Sequence, residues 1–451
     1  MLFRTIFFLL TAAGVMPAPP VAGRTPKPPA AGWKFNFDPT VHRSGYTVVT
    51  AGAIYTPETG YGFDLGTGPT SPPFYFSVRV PEGNYNVTVT LGDAARGTVT
   101  TIKAECRRLM VEKVSTPKGG SVAVHFTVHV RDSLIREPVT KSGGEAGSVG
   151  TGSVPSGTHV RLKPREYAYL HWDDKLTLEF SNSAPKVQAI EIQPVTGIPT
   201  VFLAGNSTVV DQAEEPWAAW GQMIPAFFQP GKVAIANYAE SGETLKAFRG
   251  ERRLAKLLSM AHPGDYLFIE FAHNDQKPGG SHLDPFTTYK EMLSWYAGEA
   301  RARDMLPVFV TSMHRRRFDS SGHVINTLED YPEAMRQAGK ELNIPVIDLN
   351  AMSKVLYEAW GPEQSVHAFV HYPAHTFPGQ DKELKDDTHF NAYGAYELAK
   401  CVARGIRSQV PALGRLLMPD LPDFDPGHPD PLASWSLPMS ARASVQKPDG
   451  N

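Results

Sequence analysis

Four short polar segments of this chain carry residue types that together can perform acyl transfer. Ser207 stands in Gly205-Asn206-Ser207-Thr208, directly after the apolar run Val201-Phe202-Leu203. A small-residue turn at the end of a buried strand holds a hydroxyl up at the sheet's C-terminal edge, which makes Ser207 the candidate nucleophile. Asp386 and His389 lie three residues apart in Asp386-Asp387-Thr388-His389. That spacing lets a carboxylate in a tight turn hold the imidazole Nδ1–H and leaves Nε2 to take a hydroxyl proton. Gly242, closing Asn237-Tyr238-Ala239-Glu240-Ser241-Gly242, lets a backbone N–H approach a ligand, and Asn274, in Ala272-His273-Asn274-Asp275, brings a side-chain amide. With the N–H of Ser207 these supply three donors for the oxyanion of a tetrahedral intermediate. Singly, each has a bland reading: turn glycine, Asx-turn former, loop carboxylate, helix-start residue for His389 or Asn391. Together, on successive strand ends, they are poorly explained by coincidence.

The elements that must position them alternate in type. Strands read at 200–204, 232–237, 265–271, 307–311 and 344–348. Between them Leu254, Leu257, Leu258 and Ala261 keep helical spacing, as do Tyr289, Met292, Leu293 and Tyr296, and Tyr331, Ala334, Met335 and Ala338. A last helix is expected near 391–406, with Tyr396, Ala399, Val402 and Ile406 on one face. Such alternation predicts an α/β domain with a parallel sheet covered by helices on both sides, whose sites form at the C-terminal strand ends.

These blocks resemble those of the SGNH (GDSL-like) hydrolases: Ser in a GNST turn, Gly after an N-x-A segment, Asn in F-A-H-N-D, and a D-x-T-H-F box opening the last helix. The resemblance covers roughly 199–407 and is closest to the rhamnogalacturonan acetylesterase group of carbohydrate esterases. It implies a flavodoxin-like three-layer fold with no metal and no cofactor. It also implies Ser207 as nucleophile, Asp386 and His389 as the rest of a triad, and Ser207, Gly242 and Asn274 as oxyanion hole. One block departs from the pattern, since Ala272 stands where G-x-N-D has its glycine.

From Trp33 to about Val195 the texture is different: short runs such as 46–50, 74–80, 85–91, 98–105, 108–115 and 121–132 mostly alternate in period two, and runs at 167–172, 175–181 and 187–195 continue them. A β-sandwich is expected over 33–196, resembling the galactose-binding-like sandwiches of some pectin-degrading enzymes, with a Gly/Ser-rich loop from Ser142 to Ser156. Buttressing of the hydrolase domain through an apolar interface is the favoured role, because no aromatic platform stands out among Tyr167, Tyr169, His171 and Trp172. Residues 1–18 have the layout of a secretory signal, and 19–32 form a Pro/Ala-rich spacer. The hydrolase domain is expected over 197–412, followed by a Pro- and Asp-rich tail, 413–451, draped on the surface or disordered.

A net charge of −2 over 451 residues, with 20% charged, gives no footprint for nucleic acid. The apolar signal stretch is too short for a comfortable membrane span, so a secreted or periplasmic location without a stable anchor is expected. Cys106 and Cys401 are expected as buried free thiols, and neither has zinc-site spacing. At the presumed active-site edge, Arg315 in Met313-His314-Arg315-Arg316-Arg317 offers a guanidinium for a uronate carboxylate, with a solvated basic loop an equal reading. His375, in the insertion HYPAHTFP at 371–378, is a candidate wall of a sugar cleft. The leading function is an exported esterase acting on an acetylated polysaccharide or oligosaccharide, rhamnogalacturonan first. A short-chain lipid or lysophospholipid esterase and a carbohydrate-binding protein with a vestigial hydrolase domain are the alternatives.

Overall fold

The computed structural model describes residues 32–136 and 158–449. The expected signal segment, nearly all of the spacer and the 142–156 loop lie outside these. In the N-terminal region the strands are β1 (Trp33–Asn36), β2 (Thr47–Val48), β3 (Tyr61–Asp64), β4 (Phe74–Arg79), β5 (Gly83–Leu91), β6 (Thr98–Ala104), β7 (Arg108–Thr116), β8 (Val122–Val130), β9 (Lys175–Ser181) and β10 (Val187–Pro194). They form two five-stranded sheets, β2-β1-β10-β5-β8 and β3-β4-β9-β6-β7, antiparallel except for the β1–β2 pair. Period two explains the packing: β5 turns Tyr85, Val87, Val89 and Leu91 inward, where they share one apolar core with Phe76, Val78, Leu178 and Phe180 of the other sheet.

The stretch 167–172, expected as a strand, is instead a 3-10 turn (Pro164–Ala168) running into a bend. Pro164 presets the first turn, and the Glu166 carboxylate reaches back to the Lys163 N–H at 2.7 Å. Its two oxygens also accept from Arg253 (2.5 and 2.9 Å) and from the Trp172 indole (3.0 Å), so this segment is tied across the chain rather than along a ladder.

The second region supplies β11 (Thr200–Gly205), β12 (Ala234–Asn237), β13 (Tyr266–Glu270), β14 (Leu306–Val310) and β15 (Val346–Ile347), in the all-parallel order β12-β11-β13-β14-β15. Its helices are α1 (Trp220–Met223), α2 (Leu245–Gly250), α3 (Arg253–Met260), α4 (Lys290–Arg301), α5 (Tyr331–Leu342), α6 (Leu349–Gln364), α7 (Ala392–Gln409) and α8 (Pro411–Gly414). A buried parallel sheet is apolar on both faces, and β11 shows it: Val201 and Leu203 enter one core with α7, Phe202 and Ala204 the other with α3, α4 and α5. Because β12 and β13 flank β11 on opposite sides, the strand order reverses at β11, where α/β sheets open a crevice at their C-terminal edge. The sequence reading missed α6, which Asp348 caps and Gly361-Pro362 interrupts, and the antiparallel hairpin β16 (Phe369–Tyr372) and β17 (Leu384–Phe390).

The two regions meet across a seam that carries buried charges beside the apolar contacts expected. Arg108 donates to Asp211 at 2.6 Å and to the His129 carbonyl at 2.7 Å. Arg107 pairs with Glu215 and donates to the Trp217 carbonyl at 2.8 Å, and Lys256 pairs with Glu82. Arg131, fully buried, lies over the rings of Trp172 (4.4 Å) and Tyr238 (4.8 Å). Apolar contacts join the regions too: Leu109 enters one hydrolase core, Ile135, Val160 and Trp172 the other, and Cys106 and Leu170 pack with Ala213. The tail lies folded across both regions. Glu215 N donates to Arg442 O and Ser444 N to Glu215 O, at 2.9 and 2.8 Å, while Ser440 bonds to Lys103 and Glu179.

Candidate active site

The nucleophile turn is built by hydrogen bonds that leave Ser207 at its crest. Asn206 accepts through its carbonyl from the N–H of Val209 (3.0 Å) and Val210 (3.1 Å), and through Oδ1 from the N–H of Thr208 (3.1 Å). Glycine is required at 205 for space: a Cβ there would meet Val209 Cγ2 at 2.6 Å. Below the turn, Glu270 at the end of β13 receives the Trp220 indole N–H (2.8 Å) and lies 3.1 and 2.9 Å from the hydroxyls of Thr208 and Ser312. Burial raises its carboxyl to about 7 against those three hydrogen bonds.

Ser207 Oγ is 2.8 Å from His389 Nε2, and His389 Nδ1 is 2.7 Å from Asp386 Oδ2. The acid sits on β17, not in a free turn. β17 bulges opposite β16, where Phe369 pairs with Phe390 but Val370 already pairs with Asp386, and the extra residues aim His389 back at its acid. Asp386 Oδ1 accepts from the N–H of Thr388 (2.9 Å) and His389 (3.1 Å). Burial pushes the Asp386 carboxyl up, but the bond to His389, that residue's charge and the two N–H groups outweigh it and hold it at about 2. Lys447, from the tail, brings its ammonium to 3.6 Å from Asp386 Oδ2.

The loops after β12 and β13 are tied to the same edge. Tyr238 N donates to Leu203 O at 3.0 Å and Glu240 N to Gly205 O at 3.2 Å, which carries Gly242 alongside the nucleophile turn. Gly242 adopts φ +83°, where a side chain is strained, and a Cβ there would stand 3.0 Å from that of Asp449. Asn274 is buried, donating from Nδ2 to Glu243 O (3.0 Å) and accepting Lys277 at Oδ1 (3.0 Å), so one Nδ2 hydrogen is left for another acceptor. Asp275 receives the Leu245 N–H at 2.8 Å, and burial lifts its carboxyl to about 7. Alanine at 272 is accommodated, buried in the core beside the helices.

Ser207, His389 and Asp386 form one hydrogen-bonded chain, and Gly242 and Asn274 stand on loops at the same edge of the sheet. Arg315 and His375 do not join that chain. Arg315 spends its guanidinium on Thr327 (3.3 and 3.2 Å) and on the His273 carbonyl (3.2 Å), bracing the loop that carries Asn274. His375 is exposed in the loop beyond the Tyr372–Leu384 rung, two rungs along the hairpin from Asp386. His273 is buried in the second loop and makes no side-chain hydrogen bond among the described residues. Residues that sequence reading passed over also gather here: Lys447 and Asp449 from the tail, Arg165, and Asp211, pinned by Arg108 and by the Asn237 amide at 2.8 Å. Only their positions in the folded chain reveal them, because they carry no local pattern.

Residues 203–396 match the GDSL-like lipase/acylhydrolase family, and the chain belongs to it. Two relatives are similar to part of this chain. Rhamnogalacturonan acetylesterase RhgT of Bacillus subtilis (strain 168) is 47% identical over 208 residues, 46% of this chain and 88% of that protein. The probable rhamnogalacturonan acetylesterase YesY of the same organism is 33% identical over 211 residues, 46% of this chain and 92% of that protein. A third, the uncharacterized esterase YxiM of B. subtilis, is 25% identical over 402 residues, 84% of this chain and 91% of that protein. This chain is therefore an esterase of GDSL type, and more than half of it lies outside the alignment with each of the first two.

Proposed function

We propose that the chain is an exported serine esterase that removes acetyl groups from a plant cell-wall polysaccharide, rhamnogalacturonan. The observation that carries the reading is the continuous chain Ser207 Oγ, His389 Nε2, His389 Nδ1, Asp386 Oδ2, with contacts of 2.8 and 2.7 Å. The names of the two relatives support the acetyl and polysaccharide parts, and the signal-like residues 1–18 support export.

In this reading Ser207 Oγ attacks the acetyl carbonyl carbon while His389 Nε2 takes its proton. The resulting imidazolium is held by the ionised Asp386. The carbonyl oxygen becomes an oxyanion facing the N–H groups of Ser207 and Gly242 and the free Nδ2 hydrogen of Asn274. Collapse breaks the bond to the sugar oxygen, which leaves with the proton from His389, and an acetyl-enzyme remains. Water then attacks with His389 as base, acetate departs, and Ser207 regains its proton. The acid's low pKa of about 2 keeps it charged throughout.

The test is acetate release from acetylated rhamnogalacturonan beside p-nitrophenyl acetate and a long-chain p-nitrophenyl ester, for the intact chain and for Ser207→Ala. The variant is expected to fold normally and to lose several orders of magnitude in rate. An active Ala variant would overturn the mechanism. Preference for the long-chain ester would overturn the substrate.

A further inference from the structure

A recess of about 240 Å³ opens along the segment that follows the nucleophile turn. Hydrolase residues form one side: Gln212, whose amide donates to the Ser207 carbonyl at 3.0 Å, Ser241 beside Gly242, and Trp217. The other side is Tyr169 and the tail between Arg442 and Asp449. This second wall lies outside residues 203–396, and the two acetylesterase relatives align with only 46% of the chain although 88% and 92% of their own lengths are covered. It is an addition to the minimal hydrolase.

We propose that this recess is a subsite for an acidic sugar unit neighbouring the acetylated one; the proposal rests on the polysaccharide reading above. Its lining carries one more cation than carboxylates and one orphaned donor. The indole N–H of Trp217 is buried and has no partner among the described residues, whereas buried indoles almost always find one. Three cations, Arg165, Arg442 and Lys447, face two carboxylates, Glu214 and Asp449. Arg165 is committed to Glu240 at 2.6 Å and to Asp449. Arg442 gives one N–H to the Ala168 carbonyl at 3.2 Å and stands 3.7 Å from Glu214 with its side chain about a third exposed, and Lys447, nearly half exposed, stands 3.6 Å from Asp386 Oδ2. A uronate carboxylate is the sugar substituent that such a lining recognises. The volume is below the roughly 300–1,000 Å³ of pockets for drug-sized ligands, which leaves room for a single ring. Tyr169, half-buried, offers that ring an aromatic face.

The experiment compares the intact chain with Arg442→Gln and Trp217→Phe on three substrates. They are an acetylated rhamnogalacturonan oligosaccharide, which carries uronates, an acetylated xylo-oligosaccharide, which does not, and p-nitrophenyl acetate, which has no sugar to seat and reports the chemical step. For Arg442→Gln the KM on the acidic oligosaccharide is expected to rise roughly tenfold with kcat nearly constant, the loss typical of a hydrogen bond to a charged group. Trp217→Phe, which removes the N–H together with the five-membered ring that carries it, should raise it by a smaller factor, with the p-nitrophenyl acetate rate reporting any damage to the fold. Added salt should raise the wild-type KM on the acidic substrate alone. Equal KM increases on both oligosaccharides, or none on the acidic one, would overturn the subsite while leaving the esterase intact. Wild-type protein that hydrolyses p-nitrophenyl acetate but neither oligosaccharide would end the polysaccharide reading, and this proposal with it.

Discussion

Replacing Arg108 by Met should cripple a catalytic turn that Arg108 never touches. Arg108 and Asp211 are both almost completely buried, and their contact is 2.6 Å. Removing the cation takes the direct partner from the Asp211 carboxylate in a buried site, leaving the Asn237 amide at 2.8 Å, the neutral His171 ring 3.9 Å away and Arg131 as the remaining nearby cation. Burial, then the nearby Arg131 and Arg108, hold His171 far below its usual pKa, so it brings no charge. Breaking one side of a buried pair costs about 3–5 kcal/mol, with no discount for solvent screening at this burial. At about 2–4 °C per kcal/mol, the melting temperature should fall by roughly 6–20 °C. Asp211 stands four residues after Ser207, and Asn237 ties it to the Val209 carbonyl in the same turn. Displacement of that turn by about 1 Å is enough to lose roughly 10²-fold in kcat. The assay is thermal melting followed by circular dichroism, with p-nitrophenyl acetate hydrolysis well below the melting point. Arg108→Met/Asp211→Asn is the internal control: it no longer buries a lone charge and should be more stable than the single variant by about 1–3 kcal/mol. A single variant within about 1 kcal/mol of wild type, or a double variant no better than the single, would refute the claim that this pair holds the turn.

Two further substitutions separate the roles at the site. Asp386→Asn leaves His389 with the wrong partner at Nδ1, so its rate defect should shrink at high pH, where hydroxide replaces the missing base; Asn274→Ala should cost about 10²–10³ in kcat by the same factor at every pH. Parallel pH–rate profiles for the two would show the roles misassigned. Glu270 makes a prediction about stability instead. Its folded carboxyl, raised to about 7 from an ordinary 4.5, favours folding fully below the lower value, and that contribution is lost as pH rises through the higher one. Glu270→Gln should remove this component, up to about 3 kcal/mol, so that urea titrations of variant and wild type diverge between the two values. Asp386 acts in the opposite sense: its contribution is present above pH 3.8 and lost as pH falls toward 2. Identical pH slopes for Glu270→Gln and wild type would contradict the burial argument.

The site was legible because its chemistry is confined to short blocks, three of them directly after an apolar run and the fourth opening the last helix, so Ser207, Gly242, Asn274, Asp386 and His389 could be read in order without knowing the sheet. The parallel order and both cores follow from the same runs. What sequence periodicity hides is contact between distant residues. Arg108 begins a strand that alternates like any half-buried one, and nothing local distinguishes it from a solvated arginine; its partner lies 103 positions away. The alternation Tyr167, Tyr169, His171 imitates a strand, but Pro164 and the Glu166 carboxylate decide in favour of a turn. Helix α6 was lost because its pattern breaks at Gly361-Pro362. The tail's Pro and Asp content signals only that it builds no core, and its path is set by single contacts such as Ser440 to Glu179 and Lys447 to Asp386. Arg315 was drawn to the cleft by its place after a strand, yet backbone carbonyls needed the donors first.

The charged seam between the two regions also has a temperature dependence. Glu166 and Arg253 meet at 2.5 Å, both fully buried, and with Arg108–Asp211 they make the join ionic at its centre. The penalty for stripping water from ions falls on heating, while apolar stabilisation levels off. The seam therefore gains on the two cores as temperature rises, and heat should melt both regions in one step rather than part them first. Cooling reverses the balance: near freezing, the join is where the molecule should begin to breathe, and hydrogen exchange at the Glu166 and Asp211 segments should accelerate relative to the cores.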